Sequence, residues 1–410
     1  MNAEIIAVGT EVLLGDIVNT NAQYLSRRLA DLGIYVYYQS VVGDNKERLK
    51  NSLKLAYSRA DMVITTGGLG PTKDDLTKEV GSEFFQKPLL LHEESLKSIE
   101  DYFNKLNRNM TEANKKQAYI PEGAVVLKNN FGTAPGCIID DSGKILVMLP
   151  GPPREMIPMF ENHVVPYLKK YQKGVLVSKV IRIIGLGESE IVDNIKDLMD
   201  AQTNPTIAPY AKSGEAILRV TASAETEYKA NLIIDPVINR IYDILKDNIY
   251  AMGDTTIENV VAKELIDKGI TISTAESCTG GLLAGRLINY PGISSVFMEG
   301  AVTYSNESKM KRLGVKESTL EKYGAVSKET ALEMAEGIAK ASNTDIGLST
   351  TGIAGPDGGT DEKPVGLVFV GLYINGNTYV KKLHLTGDRE NIRNRTVIYS
   401  LDFLRRHLLK

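Results

Sequence analysis

Short, almost uninterrupted apolar runs that end in glycine-bearing loops constrain this chain more than any other feature. Ala3–Val8 runs into Gly9-Thr10-Glu11, Met62–Thr66 into Gly67-Gly68-Leu69-Gly70, and Ile145–Leu149 into Gly151-Pro152-Pro153. With Tyr35–Val42 these read as strands, and Asn21–Leu32, Lys46–Arg59 and Asp75–Phe85 read between them as helices. Strands that are apolar throughout, alternating with helices, imply an α/β fold with a parallel sheet covered on both faces. In such a sheet ligands bind beyond the carboxyl ends of the strands, so the three loops are expected on one rim.

At 410 residues the chain exceeds one ordinary core. Three blocks emerge: 1–170, 171–252 and 253–410. The middle block reads as a small α+β connector: strand Val175–Ile184, helix Ser189–Met199, strands Thr206–Ala211 and Glu215–Ser223, then a helix from Glu225 that Asp235-Pro236 interrupts. The third block is again α/β. Strands Ile270–Thr274, Val296–Thr303 and Asp345–Thr350 are followed by a hairpin, Gly366–Ile374 and Tyr379–Leu385, around Asn375-Gly376. Ser327 is placed to cap a helix that buries Ala331, Met334, Ala335, Ile338 and Ala339, and a last helix begins near Asp388.

Net charge is −3, which disfavours nonspecific binding to nucleic acid, so nucleic acid is not an expected partner. Two distant cysteines, Cys137 and Cys278, offer neither a disulfide framework nor zinc spacing, and fit a reduced, cytoplasmic setting. No apolar stretch approaches the ~18 residues of a membrane span, so no membrane is expected either. None of the four histidines lies beside a glycine-rich loop, which makes a histidine-based triad a poor choice.

Chemistry concentrates in two places. Ser277 sits where an apolar strand passes into a helix at Glu276-Ser277-Cys278-Thr279-Gly280-Gly281, where the first helical N–H groups could hold a phosphate or an oxyanion. Without histidine, lysine is the next base; Lys309 follows Tyr304 by five residues, so the two converge only if the strand-to-helix turn lies between them. Each signal alone has a plain reading: a capping serine, a solvated lysine, an inert thiol at Cys278. In the first block, Gly67-Gly68-Leu69-Gly70 precedes Asp74-Asp75 without matching a Walker A or dinucleotide motif. Adjacent acids at a phosphate loop suggest a magnesium-type ion, while Thr72 with Asp75 also fits a helix-capping pair.

Taken together and in order, Thr274–Gly281, Thr303-Tyr304-Ser305-Asn306, Gly352–Gly359, Lys363-Pro364-Val365-Gly366 and Gly387-Asp388-Arg389 resemble the nicotinamide-nucleotide amidase domain of the CinA (competence/damage-inducible) family. The resemblance implies hydrolysis of nicotinamide mononucleotide to nicotinic acid mononucleotide and ammonia, with no cofactor. Ser277 would be the nucleophile, and Lys309 with Tyr304 would move the proton. Cys278, Thr279, Gly280, Gly281, Thr351, Gly352, Gly355 and Arg389 would contact substrate. Gly9-Thr10-Glu11, the Gly67–Gly70 loop, Asp74-Asp75 and Leu149–Met156 resemble the molybdopterin-binding-type N-terminal domain of the same family. Leu69 and Asp74 depart from the Gly-Gly-Thr-Gly and arginine of molybdopterin enzymes. The family implies instead a pyrophosphatase dependent on a divalent ion of the Mg, Mn or Co type, splitting ADP-ribose into AMP and ribose 5-phosphate. Glu11, Asp74 and Asp75 would be its metal ligands, Asp75 also catalytic. Gly9, Thr10, Gly67, Gly68, Gly70, Asn130, Gly132, Thr133, Ala134, Pro150 and Gly151 would bind substrate. The resemblance also implies a homodimer and a KH-like connector, although the connector shows no Gly-x-x-Gly clamp. A non-catalytic competence or DNA-damage accessory protein, and an amidase with a regulatory N-terminal domain, stay open as other readings.

Overall fold

In the first sheet successive residues of each central strand go to opposite cores. Ile5, Ile64 and Val147 join one buried cluster, and Ile6, Val63 and Leu146 the other. That two-sided burial is why these strands lack polar alternation. The computed structural model describes residues 1–171 and 174–409; Gln172 and Lys173, at the start of the expected middle block, and Lys410 lie outside them. The strands are β1 (Asn2–Val8), β2 (Tyr35–Val42), β3 (Met62–Thr66), β4 (Val125–Leu127), β5 (Gly136–Asp141) and β6 (Lys144–Leu149), in the order β2-β1-β3-β6-β5-β4. β2, β1, β3 and β6 are parallel, whereas β5 and β4 add an antiparallel edge. The expected parallel sheet is thus mixed, because β5 and β6 are joined by the tight turn Ser142-Gly143, both residues at positive φ. Helices Thr20–Asp31 and Lys46–Ala56 place Leu25 and Leu29 in one core and Leu49 and Leu53 in the other. Each such buried side chain stabilises the fold by about 1.5–3 kcal/mol.

The middle module has strands β7 (Val175–Ile183), β8 (Thr206–Lys212), β9 (Glu215–Ala224) and β10 (Ile249–Met252), ordered β8-β9-β7-β10. The single helix expected over Ser189–Met199 is two, Glu188–Asn194 and Lys196–Asp200, parted at Ile195, which leaves helical geometry while its side chain is buried. The helix Glu227–Leu245, in contrast, runs through Pro236. That proline is exposed, so the carbonyl it cannot bond can be hydrated.

The C-terminal sheet orders β11 (Ile272–Glu276), β12 (Phe297–Val302), β13 (Ile346–Gly352), β14 (Leu367–Ile374) and β15 (Asn377–His384) as β12-β11-β13-β14-β15. β12, β11 and β13 are parallel, and β14 and β15 form the expected hairpin, with Asn375 and Gly376 both at positive φ. Ser327 caps the helix Lys328–Ser342, which buries all five of the residues expected on its inner face. Asp388 caps the long helix Arg389–Leu408. The chain divides into two compact units, Met1–Val177 with Ser223–Asn231, and Ser178–Ala222 with Leu232–Lys410. Among the described residues no helix is long and apolar enough to cross a membrane.

Candidate active sites

β11 ends at Glu276, and Ser277 follows with its N–H bonded to the Thr350 carbonyl on β13. β12 ends at Val302 and the helix Asn306–Leu313 begins after the cap Ser305, so the strand-to-helix turn does lie between Tyr304 and Lys309. The turn brings Lys309 Nζ to 3.2 Å from Ser277 Oγ, 2.9 Å from the Thr303 carbonyl and 3.0 Å from the Tyr304 carbonyl. Lys309 is 1% exposed with no carboxylate on its amine, and burial lowers its pKa from the ordinary lysine value. In the neutral amine two N–H groups satisfy the two carbonyls, and the lone pair is left for the Ser277 hydroxyl. Cys278 beside it is buried and its thiol is pushed up to about 12 by desolvation, so it is no nucleophile near neutrality.

Several expected contacts belong instead to the frame of this site. The helix Leu282–Ile288 does not offer its first N–H groups to a ligand. The buried Glu276 carboxylate takes the N–H of Gly281, Leu283 and Ala284 at 3.0, 3.0 and 2.8 Å. Its negative charge suits the positive helix end. The Thr279 hydroxyl, fully buried, bonds Glu276 at 2.6 Å and Thr350 at 2.7 Å, and therefore cannot meet substrate. The Thr351 hydroxyl is taken by the Ala325 carbonyl at 2.7 Å. A Cβ on Gly352 would stand 2.6 Å from Val368 Cγ2, so that glycine serves the approach of β13 to β14.

Tyr304 reaches Lys309 by its carbonyl; its ring is exposed, and its hydroxyl lies 3.4 Å from Arg389. Arg389 also donates to the Gly355 carbonyl at 2.7 Å, tying the Gly352–Gly359 loop to the long helix. One turn further along that helix, Arg393 grips the Cys278 and Thr279 carbonyls at 3.1 and 2.8 Å. Sequence reasoning passed over Arg393; its one available signal was the four-residue spacing from Arg389.

The second site is a cavity of about 480 Å³ at the carboxyl ends of β1, β3 and β6. Gly9, Gly67, Gly68, Gly70, Thr133, Ala134, Pro150 and Gly151 line it as expected, with Glu11, Asp74 and Asp75. Thr10 is not among the lining residues; its N–H and hydroxyl both donate to Asp44. Asn130 and Gly132 face other hollows of the surface. Asp44, Glu155 and Gln117 line the cavity and went unrecognised in the sequence. Gln117 is held through its carbonyl by Lys78, a buried lysine whose pKa desolvation lowers to about 8. Five carboxylates and no lysine or arginine form this wall. Among the described residues no three side chains converge closely enough to hold a metal unaided. Asp75 Oδ2 accepts from the Thr72 N–H and hydroxyl, which leaves Oδ1 for a ligand.

These features define a three-module class: a molybdopterin-binding-type α/β domain, a KH-type module, and an α/β domain carrying a buried serine–lysine pair. Residues 4–170 match the probable molybdopterin binding domain, 178–251 the damage-inducible protein CinA KH domain, and 254–408 the CinA C-terminal domain. The chain belongs to the CinA family. It is 63% identical over 410 residues to a protein from Clostridium novyi (strain NT), spanning 100% of this chain and 99% of that one. It is 60% identical over 409 residues to one from Clostridium acetobutylicum, spanning all of both chains. Both carry the name competence-damage inducible protein, which states no reaction. Among solved structures, the competence/damage inducible protein CihA from Agrobacterium tumefaciens is 41% identical over 38% of this chain and 98% of that one, with a TM-score of 0.36.

Proposed function

We propose that the C-terminal domain is an amide hydrolase that converts nicotinamide mononucleotide to nicotinic acid mononucleotide and ammonia. The observation that carries this reading is the buried amine of Lys309, held by two carbonyls with Ser277 Oγ at 3.2 Å. Ser277 Oγ attacks the carboxamide carbon as its proton passes to Lys309 Nζ. The tetrahedral intermediate collapses, the proton goes to the leaving nitrogen and ammonia departs. Water, deprotonated by the same amine, then attacks the acyl ester; the amine returns that proton to the departing Ser277 Oγ, and the carboxylic acid is freed and ionises. With the helix N-terminus filled by Glu276, the oxyanion falls to N–H groups of the Cys278–Gly280 turn. Arg389, whose Nη2 lies 3.4 Å from the Tyr304 hydroxyl, would meet the substrate phosphate.

The N-terminal cavity supports a second reaction, hydrolysis of ADP-ribose to AMP and ribose 5-phosphate. Its all-oxygen acidic wall fits a hard divalent cation of the Mg, Mn or Co type, because no basic side chain is there to meet a pyrophosphate. Glu11, Asp74 and Asp75 Oδ1 would hold that ion only together with oxygens of the bound phosphates, since the three do not converge closely enough to hold it unaided; when bound it neutralises phosphate charge. The chain's own loops, Gly67–Gly70 and Pro150-Gly151, bring backbone close to the ligand.

Two assays test the readings separately. Purified full-length protein is expected to release ammonia from nicotinamide mononucleotide without added metal; a folded protein that releases none refutes the amidase. It is also expected to release AMP from ADP-ribose only with a divalent cation, with Asp75→Asn lowering the rate by roughly 100-fold or more. An Asp75→Asn protein with the wild-type rate refutes the second reading.

A further inference from the structure

We infer that Arg393 is a positioning residue for the nucleophile turn, a role that rests on the amide-hydrolase reading of Ser277. Arg393 Nε donates to the Cys278 carbonyl at 3.1 Å, and Nη2 donates to the Thr279 carbonyl at 2.8 Å. One planar fork thus fixes two consecutive peptide units. A trans peptide carries its C=O and the following N–H on opposite sides. Holding both carbonyls toward the long helix therefore turns the N–H groups of Thr279 and Gly280 away from it. These belong to the turn that remains for the oxyanion once Glu276 has filled the helix N-terminus. The turn is one that needs outside support. Gly280 and Gly281 have φ of +59° and +93°, a region in which glycine has no strong preference of its own. A Cβ at Gly280 would lie 3.3 Å from Arg393 Nη2, so guanidinium and turn are already in close contact. Arg393 itself stands on a helix whose cap and first turn are fixed, through Asp388 and through Arg389 on the Gly355 carbonyl. Arg393 does not touch substrate; it sets the peptide planes beside Ser277. A lysine in its place presents a single point charge and cannot span both carbonyls.

The test compares wild type, Arg393→Ala and Arg393→Lys as full-length proteins. Four quantities are read: kcat and KM on nicotinamide mononucleotide, the rate of labelling of Ser277 by a fluorophosphonate, and melting temperature. Arg393→Ala is expected to lose roughly 100-fold in kcat and in labelling rate, with KM changed by less than about 3-fold. Millimolar guanidinium is expected to restore about tenfold of each, and Arg393→Lys to stay well below wild type. If the wild type labels at Ser277 but does not hydrolyse the nucleotide, the substrate reading has failed, and the labelling rates alone still decide the role of Arg393. Rates within about 3-fold of wild type in either variant overturn the proposal. So does a loss that guanidinium does not recover and that follows the melting temperature, since that is packing alone. Should Arg393→Ala not fold, Arg393→Lys decides by the same criteria.

Discussion

A lysine in water has a pKa of about 10.4 and is no base near neutrality. Burial lowers that of Lys309, and no carboxylate is present to oppose the shift. Two consequences follow in sign. Activity requires the neutral amine, so kcat/KM should rise with pH along a single ionisation whose midpoint lies below the ordinary lysine value; a flat profile through that range contradicts the role of Lys309. For stability, the folded pKa lies below the unfolded one. Between the two the unfolded chain binds the extra proton, so stability grows as pH rises and is lost as pH falls through the folded pKa. Lys309→Met should remove this slope in denaturant titrations. Glu276→Gln leaves amide atoms against three helical N–H groups and the Thr279 hydroxyl, where one carboxylate satisfied all four. It should lower stability by about 1–3 kcal/mol, read as a fall in melting temperature; an unchanged value would show the cap to be dispensable. Ser277 and Lys309 were legible in the sequence because their motifs flank strand ends. Glu276 was not, since a helix cap is sought immediately before the helix, and this one reaches in from the end of a strand, five residues before Gly281.

Elements were legible where periodicity or turn chemistry was strong. The hairpin at Asn375-Gly376 and the helix after Ser327 stand where the pattern placed them. The start of the helix after Asp75 does not. Thr72 and Asp75 do bond each other as a capping pair would, yet they close a separate turn. The helix opens at Thr77, whose hydroxyl is drawn back to the Gly67 carbonyl at 2.8 Å. That detour lets the acidic pair stand in the cavity instead of on a helix face. The same loop makes a sharp demand on Gly67: with φ at +104°, a Cβ there would lie 2.0 Å from the Val8 carbonyl. Gly67→Ala should therefore destabilise the N-terminal unit by about 1–3 kcal/mol and lower ADP-ribose turnover more than nucleotide amide hydrolysis. Equal losses in the two reactions would contradict a local effect.

At the scale of the whole molecule, the α/β class followed from unbroken apolar strands, and the antiparallel edge of the first sheet did not. β5 carries the same two-sided apolar character as its parallel neighbours, and only Ser142-Gly143 marks the reversal. The long helix Arg389–Leu408 serves both the C-terminal site and the middle module. Its first turns carry Arg389 and Arg393. Near its end, buried Asp402 holds Arg405 and Arg406, which reach the Asp247 carbonyl and Asn248 Oδ1. Asp402→Ala leaves two guanidinium groups without their carboxylate and should cost about 3–5 kcal/mol in denaturant unfolding. Such pairing between distant segments has no local sequence signature, which is why the middle block read only as a connector. The central claim, a serine activated by a buried neutral lysine, is tested most directly by turnover of nicotinamide mononucleotide in wild type, Ser277→Ala and Lys309→Met proteins of matched fold. The account predicts ammonia release by the wild type and losses of roughly 10³-fold or more in both variants. Release at the wild-type rate by either variant would contradict it.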